Sequence, residues 1–180
     1  QQVVARTGRP LAAPVDLPDW EVGTHHGWHE IGSTQALGLP VPSGRVSGGL
    51  RPALRRLIAD GAVRGLRVTA RQDLLLLGIT DATAVENVLR ANGVALASDQ
   101  SPMRNLAIAW PALPTCGKAL GEAERVLPDV IDRLEKVLAD TGNTEVPLQL
   151  NMAGCAHGCS RPYAAELSIV ARTKKSYDIF

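Results

Sequence analysis

This 180-residue chain carries little excess charge: 19 Lys and Arg stand against 18 Asp and Glu, a formal net charge of +1. That balance gives no global electrostatic attraction to nucleic acid or to an anionic membrane surface. Long apolar runs are missing too. Charges interrupt every hydrophobic stretch before it reaches the roughly 18 residues of a membrane-spanning helix, and the residues from Gln1 onward show no apolar signal segment. Cysteine is sparse and odd in number, three in all, which is no disulfide framework and fits a reducing compartment, the cytoplasm. Aromatics are scarce as well, with one Phe, two Tyr and three Trp. What is there is an ordinary globular composition, 45% hydrophobic and 21% charged, with 17 Gly and 12 Pro. It argues against disorder, and the Gly and Pro excess points to many turns or to a backbone wrapped closely around something.

The length allows one domain or two small ones. Residues 1–20 hold three prolines and no hydrophobic period, an extended arm. From Ala36 to Val46 apolar residues alternate loosely, with Pro40 and Pro42 marking an edge strand or bulge. Leu50, Leu54, Leu57 and Ile58 fall on one helical face, opposite Arg51, Arg55 and Arg56. Leu66–Thr69 and Leu74–Ile79 read as strands, the second buried on both faces, and Asp81 caps a helix that runs to Ala91. Strand, helix, strand, strand, helix is the order of an α+β sandwich of the ferredoxin-like kind, here over residues 21–97. Residues 98–180 differ in character. After the loop Trp110–Pro114, the pattern predicts a long helix from Gly117–Leu120 to Asp140, with Leu120, Ala123, Leu127, Ile131, Leu134 and Leu138 on one face and a kink at Pro128. Pro147–Met152 and Glu166–Ala171 read as strands, and Tyr177–Phe180 as the start of another, so the chain reads as a piece of a longer protein.

Between the strands of this second half lies GCAHGCSRPY, residues 154–163. Cys155 and Cys159 are spaced C-x-x-x-C, each preceded by glycine. Glycine beside a ligand cysteine lets the backbone approach a cluster and turn its N–H groups toward the sulfurs. The spacing is not that of a zinc ribbon, and no second pair completes four cysteines. Spacing alone leaves two readings open, a Cys-ligated cofactor, to which His157 is a further candidate ligand, and buried structural thiols.

Longer motifs narrow the choice. PALPTCGKALGEAERVLPDVIDRLE (residues 111–135) and MAGCAHGCSRPYAAELSIVAR (152–172) resemble the C-terminal, cluster-bearing half of assimilatory siroheme-dependent sulfite and nitrite reductases. GWHEIG (27–32), LGLPVPSGRV (37–46) and RVTARQDLLLLGI (67–79) resemble the ferredoxin-like half-domain of the same proteins, in the same order. The resemblance implies a ferredoxin-like half-domain followed by an α/β domain that binds siroheme and a 4Fe–4S cluster. It implies a C-x5-C…C-x3-C ligand set in which Cys116 is the second ligand, Cys155 the third, and Cys159 the fourth and the bridge to the siroheme iron. The first ligand falls at position 110, and that residue is Trp110. An indole cannot ligate iron and would compete for the cluster's volume. A cluster open at its fourth site, a three-iron form, and loss of the cluster all follow from that departure, with His157 an awkwardly placed substitute.

Other residues take roles from the same resemblance. Arg71 and Gln72, in Thr69-Ala70-Arg71-Gln72, match a version in which the Arg faces the bound anion, so Arg71 is the catalytic candidate; a strand-end Arg on a solvated edge is the plainer alternative. Asn105 and Arg104 are candidates to touch a siroheme carboxylate, against a surface turn. Arg161 is the candidate cation beside the cluster. Lys174 and Lys175 would form a docking patch for an acidic donor such as ferredoxin, or a solvated turn. Trp28 and His29 read as a packing and hydrogen-bonding corner, His25 and His26 as solvated loop, and Glu122, Glu124 and Arg125 as helix-surface pairing.

The expected activity is six-electron reduction of sulfite to sulfide, with nitrite reduction to ammonia second, and ferredoxin or a flavoprotein as donor. The complementary N-terminal half or a second copy of the chain would complete the site. GCAHGC and ALGLPVPSGRV also resemble a precorrin-3B synthase-like oxygenase. A non-catalytic tetrapyrrole-binding module that has lost its complete cluster is the reading Trp110 suggests.

Overall fold

In the computed structural model, which describes residues 25–180 together with Ala5, Arg6 and Gly8, a β-hairpin comes first. Strands β1 (Gly27–Ile31) and β2 (Thr34–Leu39) pair antiparallel around Gly32-Ser33. The extended arm expected over residues 1–20 lies outside the described residues apart from those three positions. Helix α1 (Leu50–Ala59) follows, with Leu50, Ala53, Leu54 and Leu57 inward, then β3 (Gly65–Val68) and β4 (Leu74–Ile79). Helix α2 (Ala82–Ala91) begins where the Asp81 carboxylate accepts from Ala84 N–H at 2.9 Å, satisfying one of the donors left open in a first turn. The sheet is antiparallel in the order β1-β2-β4-β3. Elements β2-α1-β3-β4-α2 are five of the six in a ferredoxin-like β-α-β-β-α-β unit. The place beside the first strand, where the sixth would sit, is taken by β1 from the other end.

That substitution corrects one expectation. The segment beginning at Ala36 is no edge strand, because β1 covers its free side and β4 pairs with the other. Pro40 follows the strand, and Pro42 opens a 3-10 turn, Pro42–Gly44, so neither proline removes a ladder hydrogen bond. The one register shift against β4 falls between Gln35 and Leu37, ahead of both prolines and not at the bulge expected from them. Leu37, Leu39, Leu57, Leu76, Ile79, Val85 and Leu89 form the dry core between sheet and helices. On β4, Leu74, Leu76 and Ile79 are buried, while the alternate Leu75 and Leu77 are only partly covered.

The second unit holds α3 (Pro102–Leu106), β5 (Ile108–Ala109), α4 (Leu127–Asp140), β6 (Leu150–Ala153), β7 (Leu167–Ala171) and β8 (Tyr177–Ile179). Its sheet runs β5-β6-β7-β8, parallel across the first two pairings and antiparallel across the last. The helix expected from Gly117 begins only at Leu127. Pro128 lies in its first turn, where a residue without N–H costs nothing, so it starts the helix instead of kinking it. Upstream backbone groups are committed elsewhere: Leu120 and Gly121 N–H donate to the Gly154 carbonyl, and Glu124 N–H to that of Trp110. Ala123 is buried all the same, from a loop, while Leu120 is half exposed. Met103, Leu127, Ile131, Leu150 and Met152 make the second core. The fold is α+β, and among the described residues no helix is long and apolar enough to cross a membrane.

Candidate functional site

Strands β5 and β6 run parallel, with Ala109 opposite Met152. Trp110 and the pair Gly154-Cys155 therefore leave the carboxyl ends of neighbouring parallel strands, the edge at which open α/β sheets hold ligands. Trp110 N–H still donates to the Met152 carbonyl at 3.3 Å. The following loop folds back onto β6. Cys116 N–H donates to the Ala112 carbonyl at 2.7 Å, and the Gly154 carbonyl accepts from Leu120 and Gly121 at 2.8 and 3.1 Å, which sets the Cys116 turn against Cys155. Only glycine fits at 154, because a Cβ there would lie 2.4 Å from the Ala112 Cβ and 2.9 Å from the Gly121 carbonyl oxygen. Gly158, at φ +73°, reverses the chain into Cys159.

The result is one cavity of about 170 Å³ walled by Cys116, Cys155, Cys159, His157, Lys118 and Trp110. All three thiols are free; Cys116 and Cys155 are half-buried and Cys159 exposed. His157 Nδ1 lies 3.6 Å from the Cys155 sulfur, so the ring stands beside an existing thiol. Among the described residues, the one group of three or more His, Cys, Asp and Glu whose ligand atoms gather within 4.8 Å lies elsewhere, at His25, His26 and Asp73. The three sulfurs thus do not all lie within 4.8 Å of one another. A polynuclear cluster, each corner a separate metal atom, suits thiols spread in this way. Three thiols line the cavity, and Trp110, 39% exposed, forms part of its wall.

Two of the arginines singled out in the sequence, Arg71 and Arg161, lie on the seam between the two sheets. Arg71 donates to the Leu106 carbonyl at 2.6 Å and to Gln149 Oε1 at 3.2 Å, and burial holds its pKa below the ordinary arginine value. It is half-buried and tied to the second unit, not on a solvated edge. Arg161, in the left-handed region at φ 54°, reaches back to the Ala70 carbonyl at 3.0 Å. The TARQ loop and the CSRPY run are therefore in direct contact. Arg45 adds a two-pronged pair with Glu124 at 2.5 and 2.7 Å.

Among the described residues, four buried polar side-chain atoms have no partner: Arg71 Nε, Gln72 Oε1, Asn105 Oδ1 and Ser160 Oγ. Buried polar atoms in native proteins are almost always satisfied, so each orphan calls for a ligand or water. Three belong to residues named from the sequence, and the fourth follows Cys159. Gln72 shares a groove of about 300 Å³ with Trp110, Arg45 and Val68, which places the indole between that groove and the thiol cavity. Asn105 does not line the thiol cavity. Its amide donates to the Ala97 carbonyl at 2.8 Å, and it faces a separate hollow beside His26 and Leu106.

Several surface expectations change. Arg104 is not on a bare turn but clamps α3 to α4 through Glu135 and Asp132. Arg125 pairs with Glu122 at 2.5 Å in a loop, not along a helix, while Glu124 is taken by Arg45. His25 and His26 are not solvated: both Nε2 atoms meet the buried Asp73 carboxylate, and the His26 side chain is only 4% exposed. Two loop residues before a strand carry no hydrophobic signal, and their partner is 47 positions away. Trp28 donates to Glu86 at 2.8 Å and His29 Nε2 meets the His25 carbonyl at 2.9 Å, the hydrogen-bonding corner expected. Lys174 and Lys175 lie exposed in the β7–β8 turn. Lys118 was missed, although its place two residues after Cys116 is the signal that could have found it.

No family model matches the chain. It is 39% identical over 185 residues to the sulfite reductase (NADPH) hemoprotein beta-component of Acidithiobacillus ferrooxidans, covering 100% of this chain and 33% of that protein. It is 35% identical over 180 residues to the sulfite reductase (ferredoxin) of Synechococcus elongatus, covering 96% of this chain and 29% of that one. Among solved structures, the Mycobacterium tuberculosis NirA protein superposes with a TM-score of 0.69 at 24% identity, over 94% of this chain and 32% of that one, a likeness of fold. The chain spans about a third of the length of the curated relatives it matches.

Proposed function

The chain is homologous over nearly its whole length to one segment of the sulfite reductases, and on that premise we propose that it is the cluster-bearing module of a siroheme and iron–sulfur oxidoreductase reducing sulfite to sulfide. The observation that carries the reading is the convergence of Cys116, Cys155 and Cys159 on one cavity at the carboxyl ends of two parallel strands. Cys116, Cys155 and Cys159 would hold three corners of a 4Fe–4S cluster, with Cys159, the exposed one, shared with the siroheme iron. When bound, the two groups would supply an iron that takes the anion and a relay through which the six electrons the reduction needs arrive stepwise from the donor. The protein's part is placement and charge. The Gly154 carbonyl pins the Cys116 loop, and Arg71 and Arg161 bring two cations to the seam behind the site. Gln72 Oε1 and Ser160 Oγ remain for polar contacts to a bound group, and Asn105 Oδ1, in its separate hollow, would serve only a group large enough to reach it. Ferredoxin or a flavoprotein would supply electrons in the cytoplasm, approaching the exposed Lys174-Lys175 turn. The complementary half of the enzyme, or a second copy, would complete the anion pocket. Residues 21–97 and 98–180 act in this scheme as two domains sharing the site across their seam.

Trp110 favours a second reading, a tetrapyrrole-binding module without a complete cluster, because no protein thiolate stands in its place. Sulfite-dependent oxidation of reduced methyl viologen separates the two. Activity is expected in the anaerobically purified protein together with its complementary half, and Cys159→Ser should abolish it. Cys116→Ser should lower cluster content while disturbing tetrapyrrole binding less. Equal, mild effects of both substitutions on cofactor content and turnover would count against the assignment. Intact fold with no iron and no acid-labile sulfide would favour the second reading.

A further inference from the structure

Away from the thiol cavity, we infer that His25, His26 and Asp73 form a binding site for a divalent transition-metal ion of the zinc class. The three ligand atoms lie within 4.8 Å of one another. Asp73 Oδ2 is 3.2 Å from His25 Nε2 and 3.0 Å from His26 Nε2. In a tetrahedral zinc site with bonds of about 2.0–2.1 Å, neighbouring ligand atoms are roughly 3.3 Å apart. Both carboxylate–imidazole edges of this triangle are thus within a few tenths of an ångström of that spacing, and the edge between the two imidazoles is no longer than 4.8 Å. Two imidazoles and one carboxylate are a donor set zinc accepts, and the fourth position is left to water on the side where His25 is 24% exposed.

The site is built, not a chance meeting of surface groups. Asp73 is 6% exposed, and its other carboxylate oxygen accepts from Val41 N–H at 2.9 Å. Its own N–H donates to Thr69 Oγ1 at 3.1 Å. A ligand carboxylate oriented in this way by a second hydrogen bond is the usual support of a metal site. On the histidine side, the backbone of residues 25–26 lies in the space a side chain at position 38 would fill: a Cβ on Gly38 would be 1.5 Å from the His25 carbonyl oxygen and 2.9 Å from the His26 Cα. Glycine in β2 thus admits the strand entry that carries both imidazoles, and His29 Nε2 meets the His25 carbonyl at 2.9 Å. Without metal, both Nε2 atoms carry their protons toward Asp73. With metal bound, each ring coordinates through Nε2 and carries its proton on Nδ1.

Such an ion has no redox chemistry of its own if it is zinc. Its effect would be mechanical, fixing the entry to β1 onto the loop two residues after Arg71. The inference does not depend on the proposed sulfite chemistry, since none of the three residues lines the thiol cavity. The test is to equilibrate the whole protein with Zn2+, remove free metal by gel filtration and count bound zinc. His26→Gln and Asp73→Asn are compared with wild type, and long-range 1H–15N histidine spectra are recorded with and without Zn2+. The expected result is about one Zn2+ per chain lost in each variant relative to wild type, and His25 and His26 changing from the Nε2–H to the Nδ1–H form when Zn2+ is added. Equal zinc content in wild type and variants, or Nε2–H signals that persist under Zn2+, would overturn it. If the variants fail to fold, the wild-type spectrum alone decides.

Discussion

At Trp110 a bicyclic indole stands at the position the resemblance gives to the first cysteine ligand, on the wall of a cavity that already holds three thiols. Its backbone is fixed from both sides, by the Met152 carbonyl and by Glu124 N–H, so the position is held by the sheet edge and a smaller side chain there would leave the loop path intact. Trp110→Cys supplies the missing thiol and removes bulk at once. Reconstituted anaerobically with iron and sulfide, this variant should bind about four irons per chain, the content of a cubane held by four cysteines, and wild type treated alike should bind fewer or lose them faster. The same full cluster in both proteins would place the vacant corner away from Trp110. At this scale the sequence was most legible for the cysteines, because their spacing and flanking glycines are local. Lys118, Asp73 and the Arg45–Glu124 pair escaped it because their roles arise from partners far along the chain.

Among the elements, α3 and α4 are joined by a small polar clamp. Ser101 caps α3 and also donates to Glu135, while Arg104 donates to Glu135 and Asp132 on α4. Burial works to raise the Glu135 carboxyl, but hydrogen bonds from Arg104 and Ser101 outweigh it and hold it below its ordinary value of 4.5. A carboxyl depressed in the folded state binds protons more readily once unfolded. Its stabilisation is complete above the ordinary value and is lost as pH falls through the folded one. Glu135→Gln should therefore lower the thermal midpoint at neutral pH, and the gap to wild type should narrow on acidification below about pH 4.5; a gap that stays constant down the acid limb would contradict this. Elements with strong periods or caps, α1 and α2, were readable from the sequence. The false helical turns before Leu127 had the right apolar spacing, but their N–H groups are claimed by Gly154 and Trp110, a tertiary choice no local pattern encodes. Strand β1 was unread because GWHEI mixes polar and apolar residues without alternation.

Over the whole molecule, two sheets with separate cores meet along a seam crossed by Arg45, Arg71 and Arg161. The seam carries the orphaned atoms of Arg71, Gln72 and Ser160, and the thiol cavity opens beside it. The Gly and Pro excess pointed to a backbone wrapped around something, and the long motifs to a cofactor domain, but neither foretold the seam, which arises from contacts between residues far apart in the chain. In a site of this design, unpartnered polar atoms and free thiols are stabilised only when the group they face is present. The most direct measurement is the absorption spectrum of the whole chain after anaerobic reconstitution with iron, sulfide and siroheme, followed by gel filtration. A Soret band and a red band should travel with the protein in stoichiometric amount, and both should be disturbed in Cys159→Ser. A folded chain that elutes without either band, under conditions that load a sulfite reductase, would contradict the assignment of this cavity and its seam to siroheme and an iron–sulfur cluster.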